Sequence, residues 1–138
     1  MISATSTWKP RGDLGRFVEV NIIPAVRQSV YDSCKLIETR AKELCPVDTG
    51  ALRESITTET EDLAKTIRGA VGPHMDYAMY VEFGTGIRGA ASAGAGAGPY
   101  SPSWPGMPAQ PYMRPAFDEA KPQIKELFQS NIEAAIAL

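Results

Sequence analysis

The sharpest chemical candidate in this sequence is Asp48-Thr49-Gly50-Ala51, which has the form of the catalytic tripeptide of retroviral-type aspartic proteases. In those enzymes each of two chains brings one aspartate, and the pair shares a proton because two adjacent carboxylates cannot both ionise. Their aspartate follows a hydrophobic strand. Here it follows Ala41-Lys42-Glu43-Leu44-Cys45-Pro46 and precedes Leu52-Arg53-Glu54, so the flanks read as one helix ending and another beginning. Asp48 or Thr49 is then placed to cap the free N–H groups of a short helix carrying Leu52. A homodimeric protease using Asp48 stands as the alternative from a different class, marked by peptide cleavage that Asp48→Asn would abolish.

The remaining chemical motifs lose their context on inspection. Gly84-Thr85-Gly86-Ile87-Arg88-Gly89 has the glycine spacing of a dinucleotide-binding loop, which needs a strand before it, a helix after it and an acid about 20 residues on. Ala90 to Tyr100 is instead a Gly/Ala run, and no Lys-Ser/Thr pair follows to make a phosphate-cradling loop. His74, the only histidine, sits in the turn-like Gly72-Pro73-His74 and reads as a loop residue. Together with Cys34 and Cys45 it falls short of a zinc ligand set. The two cysteines share one helix, roughly 16 Å apart along its axis, beyond disulfide reach. They read as small buried hydrophobes in a chain made in the cytosol. No metal or cofactor is expected from any of these residues.

Arg88, Tyr100, Trp104 and Tyr112 could stack on single-stranded nucleic acid. The net charge of -2, from 14 basic and 16 acidic residues, supplies no overall attraction to it. Aromatics in a glycine-rich loop read better as anchors that dock into a neighbour. No apolar run approaches the roughly 20 residues of a membrane span, and the amino terminus lacks the regions of a signal peptide.

The elements that must position these residues are few. A chain of 138 residues is enough for one domain. Residues 1–15 are polar and without period, and predict a mobile arm or contact segment; residues 16–138 make the domain. From Ile23 the apolar positions Val26, Val30, Cys34, Ile37, Ala41 and Leu44 recur at helical spacing, with Arg27, Asp32, Lys35, Glu38, Arg40, Lys42 and Glu43 on the other faces. Pro24 suits the first turn, Phe17 to Ile22 could add an earlier kinked one, and Pro46 stops the helix. Ile56 to Thr60 and Lys65 to Gly72 alternate as an antiparallel hairpin turning at Glu61-Asp62. Asp76 can cap a two-turn helix over Tyr77 to Phe83 that stops at Gly84, although a strand fits nearly as well. Residues 84–110 form a loop too long for an ordinary connection, and therefore functional or disordered. A closing amphipathic helix carries Phe117, Ala120, Ile124, Leu127, Phe128, Asn131, Ile132 and Ala135, with Pro122 as a kink or restart. The predicted class is α+β: long N-terminal and C-terminal amphipathic helices packed on a small antiparallel β-sheet, with a long Gly/Ala/Pro-rich loop.

Three segments together carry a family resemblance. Pro46 to Ile56, Tyr77 to Gly86 and Met107 to Phe117, lying in this order between two long helices, resemble the tail-completion or head–tail joining proteins of the bacteriophage neck in siphoviruses. The resemblance covers roughly residues 17 to 137. It implies a non-enzymatic virion protein that forms a homo-oligomeric ring, of six subunits, where the tail meets the DNA-filled head. Its implied partners are the tail terminator, the tail tube and the head-completion (stopper) protein, with transient contact to DNA in the lumen. A third reading is a DNA-contacting channel protein, whose lumen-facing basic set could include Arg88 and Lys65. The tail terminator is the nearest alternative within the class. The implied roles are structural: Asp48, Gly50, Leu52 and Arg53 set a corner, while Tyr80, Glu82, Phe83 and Gly84 lead into the contact loop that bears Tyr100 and Trp104. Pro111, Tyr112, Arg114 and Pro115 lock its return.

Overall fold

The computed structural model describes residues 12–47, 50–85 and 106–137. Helix α1 (Gly12–Phe17) runs through a π-helical turn (Val18–Ile22) into α2 (Ile23–Leu44). Pro24 falls in the first turn of α2, directly after the π turn; the backbone before it is already helical, so its missing N–H leaves one carbonyl of the preceding turn without a helical partner. The π turn accommodates that proline without breaking the rod. The helical entry therefore begins earlier than the sequence suggested, taking in the last residues of the segment read as an arm; residues 1–11 lie outside the described residues.

Short helix α3 (Ala51–Ser55) follows the corner after Pro46, and its N-cap is Gly50 at φ 80. A side chain there would crowd its own backbone, so glycine rather than a capping side chain makes this turn. The expected cap residues Asp48 and Thr49 lie outside the described residues. Strands β1 (Thr57–Leu63) and β2 (Thr66–Gly72) then pair antiparallel, from Thr57 opposite Gly72 to Leu63 opposite Thr66. The turn is thus Ala64-Lys65, and Glu61 and Asp62 are strand residues. The ladder runs on to Leu63 opposite Thr66 and closes through a two-residue turn, the commonest hairpin connection, which keeps Glu61 and Asp62 in the strand; Asp62 there accepts from Arg27 Nε on α2 at 2.7 Å.

Helix α4 (Ala78–Phe83) settles the ambiguous segment as a helix. Tyr77, not Asp76, is its N-cap, and no side chain caps it; Gly84 ends it at φ 75. Helix α5 (Met113–Ile136) closes the fold. It begins two residues before Pro115 and passes through Pro122 as a single element, so Pro122 is neither a boundary nor a restart. The fold class is α+β, as expected, with the two long helices and one two-stranded sheet.

The core is built of small parts. Ile37, Ala41 and Cys45 of α2 and its end meet Ala116 and Ala120 of α5, with Leu52, Ile56, Ala78 and Tyr112 closing around them. Alanines at 41, 116 and 120 let the two long helices approach closely, since interaxial distance is set by the side chains between them. Further along, Ser29 and Ser33 are buried and donate to the carbonyls of Ala25 and Ser29, and Asn131 Nδ2 reaches Ser29 Oγ at 3.0 Å. Back-bonding hydroxyls are satisfied within their own helix, which lets a serine face the interior. On the neighbouring face, β2 lies so close to α2 that a Cβ at Gly69 would stand 2.5 Å from Cys34 Sγ and 2.7 Å from Val30 Cγ1.

Two expectations for individual residues fail for definite reasons. Glu38, assigned to a polar face, is buried because Lys35, Lys42 and Thr58 converge on its carboxylate at 3.0, 3.0 and 2.6 Å. Burial pushes its pKa up, but those hydrogen bonds outweigh burial and hold it down at about 2. Phe117, assigned to the apolar stripe, is 47% exposed with the Lys121 ammonium 5.0 Å over its ring; Ala116 takes the inward position. Cys34 and Cys45 are free and buried as expected, and burial pushes both thiols up.

Candidate functional site

The most organised constellation in the described residues lies where the long loop leaves and returns. Glu82 is the only acid on α4, and it is buried. Its carboxylate accepts the backbone N–H of Tyr112 at 2.8 Å and of Met113 at 3.0 Å on Oε2, and of Arg114 at 3.0 Å on Oε1. These belong to the start of α5, whose first N–H groups have no partner within the helix. A side chain from one helix therefore caps another 31 residues away in sequence. The charge also sits at the positive end of the α5 dipole, the favourable place for an anion. Such charge-assisted bonds are the stronger kind, and a partly dry setting strengthens them further.

The chain is stitched at two more points beside that cap. Thr85 N donates to the Met107 carbonyl at 2.8 Å, and Met107 N donates to Thr85 Oγ1 at 3.0 Å. Gln110 N donates to the Val81 carbonyl at 2.8 Å. Tyr112 is fully buried and its hydroxyl donates to the Ala78 carbonyl at 3.4 Å. Burial, with Cys45, Glu82 and Tyr77 adding to it, pushes that phenol up to about 12, so the ring stays neutral in the core. The loop base is thus closed by bonds from α4 to the returning strand of chain, whatever lies between.

Around this base the exposed surface is apolar. Met79, Tyr80 and Phe83 of α4 are 53%, 42% and 47% exposed, and their spacing puts them on one side of the helix. Next to α4 a cleft of about 380 Å³ is lined by Pro46, Leu52, Tyr77, Val81, Met107 and Gln110. An exposed apolar helix face of this kind is the form of a protein-contact surface.

The sequence candidates divide accordingly. The structure brings Glu82, Tyr112 and Arg114 together, with Arg114 taking part through its backbone while its side chain is exposed. Pro111 is exposed just before the cap, and Pro115 stands in the first turn of α5. Tyr80 and Phe83 are on the surface, and Gly84 turns the chain out of α4. Gly50 makes the corner, Leu52 is core and Arg53 is exposed. Asp48, Tyr100, Trp104 and Arg88 lie outside the described residues. The chain before Asp48 is the end of α2, not the strand a retroviral-type protease needs. His74 is exposed, its Nε2 2.7 Å from Thr57 Oγ1. Among the described residues no cluster of His, Cys, Asp or Glu could hold a metal, and no helix is long and apolar enough to cross a membrane. Sequence reasoning missed the stitching by Thr85 and Met107 and the cleft itself. A lone acid on an otherwise apolar short helix was the available signal for Glu82.

These features define a small α+β protein with an exposed apolar helix face beside a cleft. The chain belongs to the HK97-gp10-like family, whose model, described as "Bacteriophage HK97-gp10, putative tail-component", matches residues 9–84. It is a bacteriophage tail component of that family. The match takes in both arms of the corner, the hairpin and α4, and ends where the long loop begins. Neither the curated proteins nor the solved structures provide a match.

Proposed function

We propose that the protein completes the head-proximal end of the tail and joins it to the head, as a ring of six identical subunits. In this reading it meets the tail tube and terminator on one side and the head-completion (stopper) protein on the other. The rod that begins at Gly12 and the elements packed on it form the body of the subunit, while the rest of the 1–15 arm and the loop 84–110 supply contacts between bodies. DNA passing through the lumen touches the ring only transiently, and no catalysis is involved.

The observation that carries this reading is the apolar face of α4, Met79, Tyr80 and Phe83, set directly beside the clamped base of the loop. A ring subunit must bury surface against two like neighbours and present different surfaces above and below. A rigid pair of long helices with apolar contact surface at one end meets that demand. Order in the contact segments can also arrive only on assembly, so that a free subunit differs from the mounted one.

The test is imaging of particles made without this gene, together with localisation of tagged protein in intact virions. Full heads and separate tails of normal length, with label at the neck, are the expected result. Tails of indefinite length would make the protein the terminator instead. Normal infectious particles would overturn the reading and return attention to Asp48.

A further inference from the structure

The hairpin is a sheet of only two strands, so each strand has one side without a partner strand among the described residues. Alternate residues of an edge strand aim N–H and C=O groups outward, where another extended segment can pair with them. The edge of β1 is also distinctive in charge. Thr57–Leu63 holds Glu59, Glu61 and Asp62 and no basic residue. Asp62 is engaged by Arg27. Glu59 and Glu61 are both exposed, with His74 Nε2 3.8 Å from Glu59 and Arg68 standing opposite Glu61 on β2.

Outside the described residues the chain has a segment of matching character. Residues 1–11, Met-Ile-Ser-Ala-Thr-Ser-Thr-Trp-Lys-Pro-Arg, carry Lys9 and Arg11 and no acid. Ile2, Thr5, Thr7 and Trp8 favour extended backbone, and Pro10, between Lys9 and Arg11, is tolerated in an edge strand at the alternate position whose N–H side faces away from the ladder. We propose that this segment of one copy adds as a third strand to the free edge of β1 of a neighbouring copy, with Lys9 and Arg11 meeting Glu59 and Glu61.

Reach decides between its own hairpin and a neighbour's. Arg27, bonded to Asp62, marks where the hairpin tip lies along α2. Gly12 stands fifteen helical residues before it, about 22 Å away along the rod. Eleven extended residues span at most about 40 Å. Doubling back on its own chain would spend more than half of that length before reaching the tip. Lys9 and Arg11, nearest to Gly12, would stop well short of Glu59 and Glu61. On a neighbour the whole segment is free to pair, and donation from each copy to the next is the head-to-tail contact that closes a ring. Strand addition of this kind takes its affinity from main-chain hydrogen bonds and its selectivity from side chains. The proposal rests on the ring reading of the preceding subsection.

The full-length chain carrying Thr7→Cys and Leu63→Cys is treated with a short-spacer bis-maleimide, with each single variant as control. Cys34 and Cys45, 7% and 4% exposed, are shielded. A ladder of covalently joined copies in the double variant alone is expected. It should weaken about tenfold when Glu59→Lys and Glu61→Lys are added, and return when Lys9→Glu and Arg11→Glu accompany them. Cross-links confined within single chains would overturn the proposal. No cross-links, with rings of the wild-type chain seen by native mass spectrometry or on tails, would overturn it and leave the ring reading standing. No cross-links and no ring in either setting would remove both.

Discussion

Replacing Glu82 with alanine should be among the most damaging single changes in this protein, and the size of the effect can be worked from its partners. Three backbone N–H groups, of Tyr112, Met113 and Arg114, lose their acceptor at once. Hydrogen bonds to charged groups contribute about 1.5–3 kcal/mol each, but water can reach part of a vacated site and the terms are not additive. A loss of about 3 to 5 kcal/mol is the reasonable range, including about 0.5 kcal/mol or more from the anion at the helix N-terminus. For a chain of this size that lowers Tm by about 12 °C or more. Glu82→Gln keeps the shape and one acceptor oxygen but turns an amide N–H₂ toward a donor, so it should fall in between. Thermal unfolding followed by circular dichroism gives the shift, and hydrogen exchange at the three amides gives its location. Glu133→Ala, which removes an exposed acceptor used only by Gln129, should move Tm by about 2 °C or less. If Glu82→Ala melted within about 3 °C of wild type, or left exchange at those amides unchanged, the cap would not be holding α5 and the account of the loop base would fail.

Other expectations follow from the packing and the charges. Gly69→Ala should destabilise by about 1–3 kcal/mol in denaturant unfolding, because its Cβ would overlap Cys34 Sγ and Val30 Cγ1; Cys34→Ala in the same chain should recover part of that, and no recovery would place the strain elsewhere. Glu38, held at about 2 against an ordinary 4.5, is depressed in the folded state, so its contribution is present above pH 4.5 and is lost as pH falls from there toward 2. The stability difference between wild type and Glu38→Gln, on the order of 1–3 kcal/mol at neutral pH once solvent screening is allowed for, should therefore shrink across that window; a difference that stayed constant from pH 5 to 2 would refute the assignment.

The order of elements was legible in the sequence because it is written in local patterns. Spacing of three and four marked α2 and α5, β-branched alternation marked the hairpin, and Pro46 and Gly84 marked the ends of α2 and α4. The same patterns showed Tyr77 to Phe83 as a segment and left helix and strand both open. What hydropathy patterns do not register are positions decided by hydrogen-bonding partners, some along the same helix and some distant in the chain. Asp62 sits on a strand that carries its carboxylate to Arg27 of α2, and Glu38 is inside because Lys35 and Lys42 neutralise it while the Thr58 hydroxyl donates to it. Ser29 and Ser33 face the core because their hydroxyls are satisfied by their own helix, which no hydropathy pattern registers.

The candidate site divides along the same line. The motif residues Glu82, Tyr112 and Arg114 stood out in the sequence as parts of two separate segments, and the resemblance they carry already pointed to a phage tail protein. Only the tertiary structure puts one carboxylate against three N–H groups of another helix, 31 residues further along the chain in the case of Met113. Sequence determines which residues are present and how each short stretch prefers to fold. Whether a charge is buried depends on acceptors and donors brought close by the packing of α2, α4 and α5, and that information belongs to the fold as a whole.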